Sequence, residues 1–489
     1  MAAPKINFLS FNGNMRILHL SWMAFFISFM VWFNHAPLLA AMRDSMGLSD
    51  QQIKTLLILN VALTIPARII IGMLVDAFGP RRIYSGLLLV SSILCFGFAL
   101  ADTYERLALM RFLLGFAGAG FVIGIRMISE WFPAKQAGIA QGIYGGWGNV
   151  GSAGAAVTLP TLALLFGGPD GWRWAIACTG LLALVYSAVY FFTTTDTPKG
   201  STYFKPKRNG ALEISSVGDF FLYLLMNIPL YAALAVLAWK LGPDNIGMLS
   251  ANVIYLIYAT LSLLYVFQTV RIYQINGHVF NTPVPDIERY SFKQVALLDL
   301  AYMVTFGSEL AVISMLPLFF MDTFQLSATG AGLVASIFAG LNLIMRPAGG
   351  WISDKFGRKR SLVIILLGVA TGYILMSFMN NEWPILLAVA ATLFCSLFVN
   401  SGNGAVFAII PLVKRRLTGQ IAGMAGAYGN VGGVIFLTVL SFVSPAAFFI
   451  TIAVSAIIVF IACVLFLQEP AGHMAETMPD GSVQMIEVN

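Results

Sequence analysis

The sequence predicts an all-α polytopic membrane protein, built from two homologous six-helix halves with two additional helices between them. Three observations carry that prediction. Of 489 residues, 58% are hydrophobic and 10% charged, against about 25% charged in a soluble protein, which is too few to cover a globular surface. Apolar runs of bilayer length recur 14 times. Two stretches of the first half also reappear in the second at nearly one offset.

About 20 apolar residues cross the hydrocarbon core. In the first half such runs fall at about 17–41, 53–75, 83–101, 107–131, 137–166 and 173–193. The second half has them at about 295–321, 328–352, 361–380, 384–412, 419–443 and 446–467. Between the halves lie FFLYLLMNIPLYAALAVLAW and MLSANVIYLIYATLSLLYVF. Neither shows the cationic face of a helix lying on the membrane, so both are read as spanning rather than as surface helices of a twelve-span protein. Lys5 and Arg16 give the first run the outline of a signal peptide, but the many segments that follow mark it as an uncleaved first helix.

Charge sets the orientation. With the N-terminus inside, 19 Lys and Arg fall in inner segments and 5 in outer loops, leaving Arg68, Arg111, Arg126 and Arg346 within spans. That bias obeys the positive-inside rule and places both termini in the cytoplasm. The net charge of +6 is therefore a topology signal and implies no nucleic-acid partner.

RIIIGMLVDAFGPRR from Arg68 matches RPAGGWISDKFGRKR from Arg346, and GGWGNVG around Asn149 matches GAYGNVG around Asn430. The offsets are 278 and 281 residues. Two such pairs in the same order imply a duplication, and parallel six-span repeats are a known transporter design. The expected division is 1–198 for the first half, 199–293 for linkers and the inserted pair, 294–468 for the second half and 469–489 for a short cytoplasmic tail.

GMLVDAFGPRR and GGWISDKFGRKR join spans on the cytoplasmic side and resemble the GxxxDxxGRR signature of the major facilitator superfamily. Asp76 and Asp354, with basic residues one turn on, are candidate gating residues that latch helices in one transport state and release them in another. The bases also fix topology. Arg68 and Arg346 sit two turns deeper, where an arginine costs about 2.5–3.5 kcal/mol on insertion scales. Two arginines related by the duplication converge on a central cavity and offer forked donors to one anion. Few acids in the spans could neutralise them: Arg126 and Glu130 are spaced to pair with each other, leaving Glu309.

Glycines at helical spacing give each half a smooth strip, with Asn149 in one and Asn430 in the other. Close helix packing explains the glycines but not a carboxamide in the same register of both. FPAKQAGIAQGIYGGWGNVG (132–151) and AGMAGAYGNVGG (422–433) resemble the two signature motifs of the nitrate/nitrite porters of the major facilitator superfamily. The resemblance covers both halves but not 200–293. It implies a major facilitator fold and transport of nitrate, with nitrite beside it, by alternating access. It implies that Arg68 and Arg346 grip the anion, that Phe121 and Phe306 sandwich it, that Tyr302 hydrogen-bonds, and that Asn149 and Asn430 lie near the site. Flat, weakly hydrated nitrate suits guanidinium forks and ring faces. Without the resemblance, Phe121 and Phe306 read as ordinary packing residues.

Glu309 lies on the helical face of Tyr302 and is a candidate proton carrier. Family members with an acid after the FG pair resemble proton-coupled uptake carriers, whereas nitrate/nitrite antiporters tend to lack it. The alternative is a structural ion pair with Arg126 or Arg111. His35 is a second coupling candidate, though a lone histidine in a span more often packs as a hydrogen-bonding core residue.

Cys95, Cys178, Cys395 and Cys463 lie in apolar runs with no CxxC and read as core residues. The four histidines are scattered and no HExxH or GxSxG occurs, so neither an enzyme, a metal site nor a cofactor is expected. A carrier of another anion would call for more polar site residues, and a receptor would call for an output domain. The expected setting is the inner or plasma membrane.

Overall fold

Hydrocarbon offers nothing to an unpaired backbone N–H or C=O, so each apolar run must close its own hydrogen bonds as a helix. The computed structural model describes residues 9–132, 134–200, 211–282, 284–285, 289–414, 417–470, 473–477 and 483–487, excluding the side chains of 69, 73, 76, 129, 134–139, 411, 418–419 and the two terminal strands. Among the described residues, 14 helices are long and apolar enough to cross a membrane.

In the first half these are α1 (Gly13–Phe33), continued by α2 (Leu39–Met46); α3 (Asp50–Ala62) with α4 (Thr64–Phe78); α5 (Pro80–Ala99); α6 (Tyr104–Leu114) with α7 (Gly120–Trp131); α8 (Ala134–Asn149) with α9 (Gly151–Phe166); and α10 (Gly171–Thr193). The central pair is α11 (Val217–Lys240) and α12 (Ala251–Asn276). The second half has α13 (Phe292–Phe324), α14 (Ala328–Gly340) with α15 (Asn342–Phe356), α16 (Arg358–Ser377), α17 (Ile385–Ile409), α18 (Thr418–Leu440) and α19 (Pro445–Phe466). The chain departs from an all-helical plan only near its end, where β1 (His473–Thr477) pairs antiparallel with β2 (Val483–Glu487).

The second span of each half is interrupted at one residue, Leu63 and Leu341, again 278 apart. The repeated arginine follows five residues later in both, so the interruption belongs to the duplicated design. The halves meet where α9 packs on α14, α8 on α15, and α3 and α4 on α18. Missing side chains permit that approach: a Cβ on Gly146 would lie 2.9 Å from the Asn342 carbonyl oxygen. The glycine strips therefore form the seam between the halves.

The repeated motif also makes the same turn twice. Gly79 has φ +86° and Gly357 φ +95°, a left-handed backbone open to glycine, and a new helix begins at the next residue in each case. An acid from the end of the same half caps that helix. Asp196 accepts from the Arg81 N–H at 2.7 Å, and Glu469 accepts from Arg358 and Lys359 at 2.6 and 2.7 Å. A carboxylate there satisfies free N–H groups and complements the helix dipole. Asp354 pairs with Arg358 at 2.6 Å, joining the end of α15 to the start of α16. The side chain of Asp76 lies outside the described residues.

The central pair docks through one helix. α11 packs on α18, α13 and α3, whereas α12 buries only Ile254, Ile272 and Asn276 among its described residues. Inside the pair, Gln268 donates to Asn227 at 2.7 Å and Tyr231 donates to Gln268, the polar ties that hold helices together where apolar contact alone gives little preference over lipid.

Candidate functional site

Arg68 and Arg346 come together at the seam. The Arg68 guanidinium carbon lies 5.4 Å from the centroids of both Phe121 and Phe306, and that of Arg346 lies 5.6 and 5.8 Å from the same two rings. Two cations thus share two aromatic faces, an arrangement in which ring quadrupoles offset part of the charge. Arg68 is 3% and Arg346 4% exposed, so the site is closed to solvent.

Each arginine faces the signature glycine of the opposite half. Arg68 Nη1 donates to the Gly426 carbonyl at 2.6 Å, and a Cβ on Gly426 would stand 2.9 Å from that nitrogen. A Cβ on Gly145 would stand 3.3 Å from Arg346 Nε. Arg346 Nη2 donates to the Tyr302 hydroxyl at 2.9 Å, and the Tyr302 ring stacks on Phe306 at 4.9 Å. Arg68 Nη2 and Arg346 Nη1 are buried with no hydrogen-bond partner among the described residues. Neither arginine forms an ion pair among those residues. Two buried guanidiniums, each with an unused donor, present an anion site in which one planar ligand can accept from both forks.

Asn430 donates to the Gly426 carbonyl at 3.1 Å, the oxygen that Arg68 also uses. Asn149 is fully buried with neither amide atom bonded. The two signature amides therefore occupy matching positions but differ in bonding.

Glu309 is also fully buried. Its two carboxyl oxygens accept from Asn342 at 2.6 Å and from Asn403. Asn342 lies one turn before Arg346 on α15, so Glu309 is tied to the arginine's own helix. The structural pairing expected with Arg126 or Arg111 is not formed. Arg126 pairs with Glu130 at 2.8 Å, and Arg111 donates to Asn34 at 2.9 Å and to the Trp32 carbonyl at 3.1 Å. His35 is fully buried beside Arg111, with neither ring nitrogen hydrogen-bonded among the described residues.

Several residues of the site were missed from sequence. Phe407 completes the aromatic wall, 5.8 Å from Arg346 and 5.0 Å from Tyr302, and nothing in its spacing marks it. Asn342 carried a signal, because a polar residue stands one turn before each repeated arginine, Thr64 in one half and Asn342 in the other. Outside the site, Asp299 is an acid inside the run 295–321 and shares the α13 stripe of Tyr302, Phe306 and Glu309. It is fully buried.

Two six-helix halves around a closed basic pocket define a membrane carrier. Residues 21–284 and 298–482 match the Major Facilitator Superfamily. The chain is 46% identical over 473 residues to the nitrate/nitrite transporter NrtP of Nostoc punctiforme, covering 95% of each chain. It is 27% identical to the probable nitrate/nitrite antiporter NarK1 of Thermus thermophilus, covering 94% of each. A partially occluded inward-open structure of the E. coli xylose transporter XylE shares the fold, with a TM-score of 0.61 at 15% identity, over 93% of this chain and 98% of that one. The chain belongs to the nitrate/nitrite porter family of the major facilitator superfamily.

Proposed function

We propose that this protein is a secondary carrier of nitrate, with nitrite as a second substrate, that works by alternating access of residues 1–198 and 294–468 about the Arg68–Arg346 site. One observation carries the reading: two buried arginines from opposite halves each keep, among the described residues, an unbonded donor at an aromatic-walled site and no paired acid. A small planar anion satisfies both donors at once, and aromatic faces favour a weakly hydrated ion over a strongly hydrated one. The names of the 46% and 44% identical relatives point to the same substrates.

In this reading Phe121 and Phe306 flank the anion, Tyr302 fixes Arg346, and Asn149 and Asn430 bound the pocket. Asp354, and Asp76 by analogy, belong to the cytoplasmic latch. Both termini face the cytoplasm of a cell membrane. The carrier makes and breaks no covalent bond. Glu309 supports proton-coupled uptake, because it is a buried carboxyl held by the Asn403 amide and by that of Asn342, one turn from Arg346, and an anion arriving between the arginines offsets positive charge near it. Proton binding and anion binding then favour one another, as a symporter requires.

Nitrate uptake into proteoliposomes tests the reading, with an inward-directed proton gradient and internal nitrite applied separately. Stimulation by the gradient supports symport. Stimulation by internal nitrite alone gives antiport, and uptake in neither condition removes the assignment.

A further inference from the structure

Among the described residues, Asp299 is a fully buried intramembrane acid with no part in the cycle above. It lies on α13, seven residues or about 10 Å in from Phe292, and is completely buried. Neither carboxyl oxygen has a hydrogen-bond partner among the described residues. The groups that face it are phenols: Tyr223 from α11 and Tyr428 from α18 both lie near enough to feel its charge. No charged group on the other elements packed against α13, which include α3, α14, α16, α17 and α19, acts on it among the described residues. Tyr428 spends its own proton on the Met226 carbonyl of α11 at 2.5 Å, and the Tyr223 hydroxyl accepts from the Leu212 N–H at 3.3 Å.

An ionised carboxylate with no donor bonded to it and no cation beside it is prohibitively unfavourable in such a place. The closed form therefore holds Asp299 as the carboxylic acid. Glu309 differs, since two amides are aimed at its oxygens. The two acids share one helix, ten residues or about 15 Å apart, with Tyr302 and Phe306 between them. They bracket the anion site.

We propose that Asp299 is a second proton-binding carboxyl of the transport cycle, on the cytoplasmic side of the anion site, and that the inserted helix α11 is the wall that seals it from water. The proposal rests on the proton-coupled reading above. When the inner side opens, water reaches Asp299, the acid gives its proton to that water, and a carboxylate appears one turn from Tyr302. That negative charge disfavours an anion held between the arginines and promotes its release inward. The inserted pair then has a function in this chain, which is to keep the inner acid dry until the carrier opens.

Sided proteoliposomes containing the full-length protein test this by varying internal and external pH independently. Asp299→Asn is expected to retain nitrate-for-nitrate exchange, keep the dependence on external pH, and lose the dependence of net uptake on internal pH. Asp299→Glu should restore that dependence. If Asp299→Asn leaves the internal-pH profile intact while Glu309→Gln abolishes gradient-driven uptake, Asp299 is a packed acid and only this proposal falls. A parallel fall in exchange and net uptake, not restored by Asp299→Glu, makes it a structural residue and likewise overturns the proposal. Wild-type uptake independent of both pH values removes the coupled reading and this one with it. A second measurement needs no Asp299 variant. The infrared spectrum of Glu309→Gln should keep a carboxylic-acid carbonyl band that converts to carboxylate as internal pH is raised, and absence of that band overturns the proposal.

Discussion

The two halves repeat the buried arginines of the proposed anion site but not the buried carboxyls of the proposed proton path. Arg68 and Arg346, Gly145 and Gly426, Asn149 and Asn430, and the interruptions at Leu63 and Leu341 recur at offsets of 278 or 281 residues. At those offsets Asn342 is matched by Thr64, Glu309 by Ser28 and Tyr302 by Ser21. Thr64 donates to the Gly115 carbonyl at 2.5 Å and Ser28 to that of Ala24 at 2.9 Å, so both are absorbed by neighbouring backbone. Phe25, at the position matching Phe306, stacks on Tyr144 rather than on a counterpart of Tyr302. The fourth and fifth spans of the first half are each interrupted, as α6–α7 and α8–α9, whereas α17 and α18 run through. Anion binding needs donors from both sides and preserves the twofold relation. Carboxyls that exchange protons carry no such symmetry requirement, and both buried acids, Asp299 and Glu309, sit on α13 of the second half.

The comparison breaks if the arginines are unequal. Arg68→Lys and Arg346→Lys should each weaken nitrate binding by about 2 kcal/mol, roughly thirtyfold, since an ammonium keeps the charge but loses the planar fork. Binding measured by nitrate-dependent thermal stabilisation checks this, and near-normal affinity in either variant removes that residue from the grip.

The glycines sharpen it. Gly426→Ala puts a methyl 2.9 Å from Arg68 Nη1, whereas Gly145→Ala puts one 3.3 Å from Arg346 Nε. A displaced guanidinium loses about one charge-assisted hydrogen bond, so Gly426→Ala should raise the KM for uptake about tenfold and Gly145→Ala about threefold. The reverse order would show that the second arginine is the tighter fit.

Glu309→Gln keeps one acceptor for one of the two asparagine amides, and the other asparagine can turn its unused oxygen toward the new NH2, so nitrate affinity should change by less than about threefold and nitrate-for-nitrate exchange should persist. Stimulation by an inward proton gradient should vanish. Its first-half counterpart Ser28→Ala should leave both readouts unaltered. Retained gradient-driven accumulation by Glu309→Gln would make that carboxyl structural.

Phe407→Leu should have the smallest effect. It removes one ring 5.8 Å from Arg346 while Phe121 and Phe306 remain, and about 0.5–1 kcal/mol of cation–π attraction gives a two- to fivefold rise in KM in the uptake assay.

Much of this was legible in the chain itself. Bilayer-length runs fix the number of spans because hydrocarbon tolerates only closed helices, and a repeat at constant offset fixes which residues are equivalent. Arg68 and Arg346 stand out because a buried charge is costly enough to demand a reason. The sequence could not say what each side chain meets, since partners in a bundle come from helices remote in the chain. Glu309 read equally well as a proton carrier and as the structural partner of Arg126 or Arg111 until packing placed it on Asn342 and Asn403. Gly426 read as a packing residue until its carbonyl proved to hold Arg68 from 358 positions away. Phe407 had no signal because one aromatic among 38 phenylalanines acquires meaning only from its neighbours. Asp299 was visible as an acid in a span, but only the tertiary structure showed it buried with neither oxygen hydrogen-bonded among the described residues. Composition and periodicity determine which segments leave water. Which of their polar groups are left unsatisfied is decided by three-dimensional packing.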